Sequence, residues 1–169
     1  ATYSLPMMVL LGVILTTLMQ SSSAAMAIVL TAVASGVIGL TEAAAVVIGA
    51  NVGTTSTALL ATLGATANAR RLAAAHVCFN LLTGVVALIL LWPLVALVVQ
   101  LGDWLEIDND LVLQLALFHT IFNVLGILLM WPLEPYMSRQ LLLRFADAPT
   151  PAPSAVPTAT TLQFLDRNV

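Results

Sequence analysis

The chain has 169 residues, of which 60% are hydrophobic and only 8% charged, with a net charge of -3 and a mean hydropathy of +1.05. A soluble domain carries about 25% charged residues, so this composition predicts an all-α integral membrane protein in a lipid bilayer. The small negative charge gives no footing for nucleic acid, and the single Cys78 excludes an intrachain disulfide.

From the N-terminus, Leu5 to Met19 and Ser23 to Ile38 read as two apolar helical arms of about 22 Å each at 1.5 Å per residue. Both fall short of the ~20 residues that a complete span needs, and between them stand Gln20, Ser21, Ser22 and Ser23. Polar groups in hydrocarbon persist where they line a cavity or hold a ligand, so a re-entrant hairpin with a polar tip is expected. The alternative is a pair of short spans joined by a surface turn. Gly36 and Gly39 then mark a turn, with Thr41 as the expected N-cap of the next helix and Glu42 in its first turn.

That helix, Glu42 to Asn51, is interrupted at Asn51-Val52-Gly53-Thr54-Thr55-Ser56 before resuming from Thr54 to Leu63. The pattern predicts one broken transmembrane helix with its ligands near mid-membrane, Thr54, Thr55 and Ser56 capping the second half. Gly49 and Gly53 also fit a GxxxG packing face, which is the competing use of the same stretch.

After Arg70-Arg71 a long helix runs through His76 and Asn80 to about Leu101, with a bend expected at Pro93. An acidic loop (Asp103, Glu106, Asp108, Asp110), a span from Leu111 to Trp131 and a short amphipathic stretch with Arg139 and Arg144 follow. The last two spans echo each other: His76, Phe79, Asn80 and Trp92-Pro93 are matched by His119, Phe122, Asn123 and Trp131-Pro132. The His and Asn pairs are read as interhelical packing, and Trp92, Trp104 and Trp131 as interfacial anchors. Arginines on one side and acids on the other place the C-terminus in the cytoplasm and open the hairpin outward.

Residues 1 to 146 therefore read as a transmembrane unit, which the resemblance given below makes a transporter repeat, 147 to 161 as a Pro/Ala/Thr-rich linker and 162 to 169 as the start of a downstream segment. The start at Ala1, without methionine or basic leader, suggests a piece of something longer.

The serines do not imply an enzyme, because no lysine exists for a Ser-Lys dyad and no His or acid lies near Gln20 to Ser23. No Cys/His or carboxylate cluster suits zinc or calcium, and no cofactor is called for. Neutral oxygens suit a hard monovalent cation such as sodium, while free helix N-H groups suit an anion. Cation-coupled anion transport is the chemistry these donors can support.

The motifs resemble the type II sodium/phosphate cotransporters, in which a QSSS run (here Gln20 to Ser23) precedes a glycine-rich break (here Gly49-Ala50-Asn51-Val52-Gly53-Thr54-Thr55), an arginine turn (here Arg70-Arg71) and an H-x-x-F-N helix (here His76 to Asn80). The likeness spans about Leu5 to Leu133 and is closest to the second repeat of a bacterial member. It implies sodium-coupled symport of inorganic phosphate across the inner membrane, with Gln20, Ser21, Ser22, Ser23, Asn51, Gly53, Thr54, Thr55 and Ser56 binding substrate and ion. Gln20, Ser22, Thr54 and Thr55 would be the sodium ligands. Since that family pairs two inverted repeats, a second QSSS-containing repeat is the implied partner. A different class stays open: a non-transporting membrane anchor or assembly module whose polar breaks only pack helices.

Overall fold

The computed structural model describes residues 4–146, and among these all regular structure is helical. The expected linker and downstream segment, 147 to 169, lie outside the described residues.

Pro6 opens α1 (Leu5–Met19) in the first turn, where its missing N-H is harmless. Gln20 ends it in the left-handed region at φ 52°, with its N-H on the Thr16 carbonyl at 2.8 Å. Ser21 then turns extended and caps α2 (Ser22–Ala34), its hydroxyl accepting from Ala24 N-H at 3.2 Å. Two residues thus reverse the chain. At 15 and 13 residues, the arms are about 22 and 19 Å long, below the ~30 Å hydrocarbon thickness. The second arm stops four residues before the expected Ile38, and Gly36 at φ 69° makes the turn.

Helix α3 (Leu40–Gly53) begins at Leu40 with Gly39 in the cap position, so Thr41 is not the cap. A carboxylate oxygen of Glu42 lies over Gly39 instead, where the N-terminal dipole favours it. This helix is the axis of the molecule, buried from Ala43 through Ala50 and contacted by α1, α2 and the later helices. Thr54 separates it from the short α4 (Thr55–Leu60).

Next come α5 (Ala67–Ile89), α6 (Leu91–Trp104), α7 (Leu111–Met130) and α8 (Glu134–Arg144). The bend expected at Pro93 appears as an interruption at Leu90, three residues upstream. Proline removes the N-H that would reach Ile89 O and crowds that carbonyl, so the strain is relieved before the ring. Asp110 caps α7 with two bonds of 3.0 Å, and buried Gln114 donates to the carbonyls of Ile107 and Asp108, pinning the acidic loop. Phe118 and Phe122 stack at 6.3 Å within the core.

Among the described residues, three helical stretches are long and apolar enough to cross a membrane: Leu40–Leu60, Ala67–Ile89 and Leu111–Met130. The first is 50% buried in its apolar window against 28% for each of the others, as an axis sheathed by lipid-facing helices should be. Leu63, Leu72 and Ile89 are largely exposed, as are Trp92, Trp104 and Trp131 at helix ends. This is a membrane protein: only hydrocarbon solvates so much apolar surface without penalty.

Candidate functional site

The site is built on the seam between α1 and α3. Val9 lies against Gly49, Val13 and Thr16 against Gly53, so the two helices run parallel, with numbers rising together. A Cβ on Gly49 would stand 2.0 Å from the Val9 carbonyl oxygen, and one on Gly12 2.0 Å from that of Val46. Only glycine permits this approach. The GxxxG reading of Gly49 and Gly53 is thus realised, and Gly53 belongs to the seam beneath the polar cluster.

Continuing one turn along that seam brings Gln20 to Thr57, whose hydroxyl donates to Gln20 Oε1 at 2.9 Å. Gln20 Nε2 in turn donates to Thr17 O at 2.5 Å, which fixes the amide orientation. The hairpin tip and the broken helix therefore meet side chain to side chain. On the opposite flank, Asn80 Nδ2 donates to Thr54 Oγ1 at 3.2 Å and His76 Nε2 lies 3.4 Å from it. Helices α1, α4 and α5 converge on one polar cluster through residues 37 and 26 positions apart.

The interruption is tighter than the sequence suggested. Thr54 keeps helical angles (φ -63°, ψ -19°), and its N-H reaches the Asn51 carbonyl at 3.3 Å, so one residue breaks the ladder. Its hydroxyl donates to Asn51 O at 2.6 Å and that of Ser56 to Gly53 O at 2.8 Å. These hydroxyls satisfy carbonyls freed from the first segment and do not cap the second; α4 has no side-chain cap. Nor is the span halved: Thr54 stands about 21 Å along it from Leu40 and about 9 Å from Leu60, nearer the arginine end.

Among the expected site residues, Ser21, Asn51, Thr54, Thr55 and Ser56 are half-buried, whereas Gln20, Ser22 and Ser23 are exposed. Ser22 and Ser23 form the first turn of α2, whose leading N-H groups lack helical partners. Two residues at the cluster and its edge, Thr57 and Thr16, are not among the sequence candidates, whereas Asn80 makes an interhelical hydrogen bond of the kind expected of it. Thr57 lies one turn beyond Thr54. Asn80, only 2% exposed, was assigned to packing along with His76. Thr16 is 1% exposed, and its hydroxyl has no hydrogen-bond partner among the described residues. The fourth residue before the QSSS run was the available signal for Thr16, since i and i+4 share a helix face. The second pair behaves differently: Asn123 donates to His119 O within its own helix.

The Na+/Pi-cotransporter family profile matches residues 1–105. The chain belongs to that family. It is 38% identical over 124 residues to the uncharacterised protein YqeW of Bacillus subtilis (strain 168), covering 73% of this chain and 38% of that protein. It is also 34% identical over 131 residues to YjbB of Salmonella typhimurium (strain LT2), whose name provisionally assigns it inorganic phosphate export; there 77% of this chain and 23% of the relative are covered. The chain thus spans well under half of each relative. No solved structure matches it.

Proposed function

We propose that this family member carries inorganic phosphate across the membrane coupled to sodium, and that the cluster at the hairpin tip and the break is its half of the ion and substrate site. The observation that carries the reading is the joining of Gln20 to Thr57 and of Thr54 to Asn80 and His76 across three helices. An assembly module would need the glycine seam alone.

The oxygens of Gln20, Thr54, Thr57 and Thr16 are neutral and hard, matching a weakly held monovalent cation. Thr16 lies against Gly53 at the near edge of the cluster, so its hydroxyl is the one on the seam closest to these oxygens. Phosphate is assigned to the Ser22 and Ser23 end, where the start of α2 offers N-H groups and a bound sodium offsets charge. Since α4 is only about 9 Å long, its dipole has little part in anion binding.

The α1–α2 arms form a re-entrant hairpin in this reading, opening at the end opposite the arginines. Exposure of Gln20, Ser22 and Ser23 fits an open half-site that a second QSSS repeat, inverted in the inner membrane, would close. The arginine end, with the C-terminus, is assigned to the cytoplasm.

The test is phosphate flux in proteoliposomes holding this chain with a second repeat, under sodium or potassium gradients of either direction. Flux that follows the sodium gradient is expected. Flux indifferent to sodium, or unchanged by Gln20→Ala, would return the cluster to helix packing.

A further inference from the structure

A second polar surface lies away from the break, at the arginine end. A cavity of about 390 Å³ opens between the start of α5 and the end of α8, with Thr66, Arg70, Arg144 and Phe145 in its wall. Among the described residues, none in its lining is acidic. Arg70 precedes His76 and Asn80 by six and ten positions, about 9 and 15 Å along α5, so the cavity is separate from the candidate transport site.

Tertiary contact holds this corner together. Arg71 donates through Nη2 to the Phe145 carbonyl and through Nη1 to Asn68 Oδ1, fastening the end of α8 onto the first turns of α5. That clamp brings Arg70 and Arg144, 74 positions apart, to one opening. Thr66 caps α5 through Ala69 N-H at 3.4 Å, and the partial positive charge of a 23-residue helix adds to the two guanidinium groups.

We propose that this corner binds a phosphate-type oxyanion, presented either by the headgroup of an anionic phospholipid or as free inorganic phosphate. Guanidinium forks match tetrahedral phosphate oxygens in shape and charge. Basic pockets between helices at the positively charged membrane face suit headgroups, and Phe145 with the neighbouring alanines supplies an apolar wall for the glycerol region.

The test uses the chain in phosphatidylcholine nanodiscs, alone or with one part in four of phosphatidylglycerol, and titrates inorganic phosphate into the first. Retained phosphatidylglycerol is counted by native mass spectrometry, and phosphate binding is followed by thermal shift. Arg70→Gln and Arg144→Gln should each weaken binding by about tenfold or more, the loss expected for a charge-assisted hydrogen bond. Arg139→Gln removes an equal charge from α8 outside the cavity and should change nothing. Loss confined to phosphatidylglycerol assigns a headgroup, loss confined to phosphate assigns the free ion, and loss of both assigns a shared site. Equal effects from Arg139→Gln would reduce the result to nonspecific charge and overturn the proposal. So would binding that survives both cavity variants, including phosphate binding abolished only by Thr54→Val, which would place it at the break.

Discussion

The seam between α1 and α3 and the polar cluster one turn beyond it, where the end of α1 meets α4 and α5, adjoin each other, yet they solve opposite problems. In the seam, Gly12 and Gly49 let backbones touch and leave no room for a side chain. At the cluster the helices part just enough for Gln20 and Thr57 to face each other, and the surroundings open. Lipid gives no hydrophobic drive for helix association, so the rigid part must come from close packing. A more open polar cluster can then be hung from its end.

The sharpest way to break this contrast is to add a methyl group to the seam. In Gly49→Ala the new Cβ would stand 2.0 Å from a backbone oxygen, which no rotamer change can relieve. The helices must separate, with an expected loss of about 3 kcal/mol, the upper range for overpacking. Gly12→Ala should match it. Chemical unfolding in micelles measures the loss, and a change under 1 kcal/mol from both would show that the seam is loose.

At the cluster the expected effect moves from stability to binding. Gln20→Ala and Thr57→Val each remove one half of an exposed pair, so unfolding should shift by less than about 1 kcal/mol. If the pair serves a charged ligand, sodium affinity of the two-repeat protein should fall about 10- to 150-fold, equivalent to 1.5 to 3 kcal/mol. If sodium and phosphate share one site, as proposed, their binding is linked, and raising sodium should restore phosphate affinity in each variant. Wild-type sodium curves from both would reduce the cluster to packing.

Much of this was legible in sequence, for identifiable reasons. Hydrophobic runs delimited α1 to the residue, because Pro6 and the polar tip punctuate it at both ends. Gly49 and Gly53 announced close packing, and the spacing of Gln20 to Ser23 from Asn51 to Ser56 announced two polar breaks. The details of the second break were not legible. Hydroxyl residues before a helix read as caps, but the same hydroxyls can bend back to carbonyls three positions earlier, as those of Thr54 and Ser56 do. Local sequence does not say which neighbour wins. The partner of Asn80 was hidden for another reason: it lies 26 positions away, and only the antiparallel return of α5 brings Asn80 to Thr54.

That contact supplies a smaller test. Asn80→Leu and Thr54→Val each delete one side of a part-buried hydrogen bond, and bonds of this kind between membrane helices are worth about 0.6 kcal/mol on average, up to about 1.7. A double-mutant cycle on unfolding should recover a coupling of that size. His119→Asn, whose neighbour Asn123 bonds within its own helix, should show no coupling to Thr54. Equal coupling from both helices would mean that the duplicated motif acts alike in each, contrary to the difference between His76 and His119.

The smallest expected effect is the control that gives the seam its meaning. Gly102 is also a buried helical glycine in contact with another element, but a Cβ there would meet the Gln114 side chain at 3.5 to 3.6 Å, an ordinary van der Waals distance. Nothing need move. Alanine is the better helix former by up to about 1 kcal/mol, and it restricts the unfolded chain, so Gly102→Ala should leave the unfolding midpoint unchanged or raise it slightly. Gln114 must keep donating to the Ile107 and Asp108 carbonyls for this to hold, and its Nε2, the donor of both bonds, would stand 3.5 Å from the new Cβ, an ordinary contact that leaves both in place. Set beside Gly49→Ala, the variant separates two meanings of a helical glycine in the same fold. If Gly102→Ala unfolds the protein as Gly49→Ala does, sensitivity to added methyl groups is general and the α1–α3 contact is not special. A neutral Gly102→Ala with a crippled Gly49→Ala locates the rigidity in the seam from which the polar cluster is suspended.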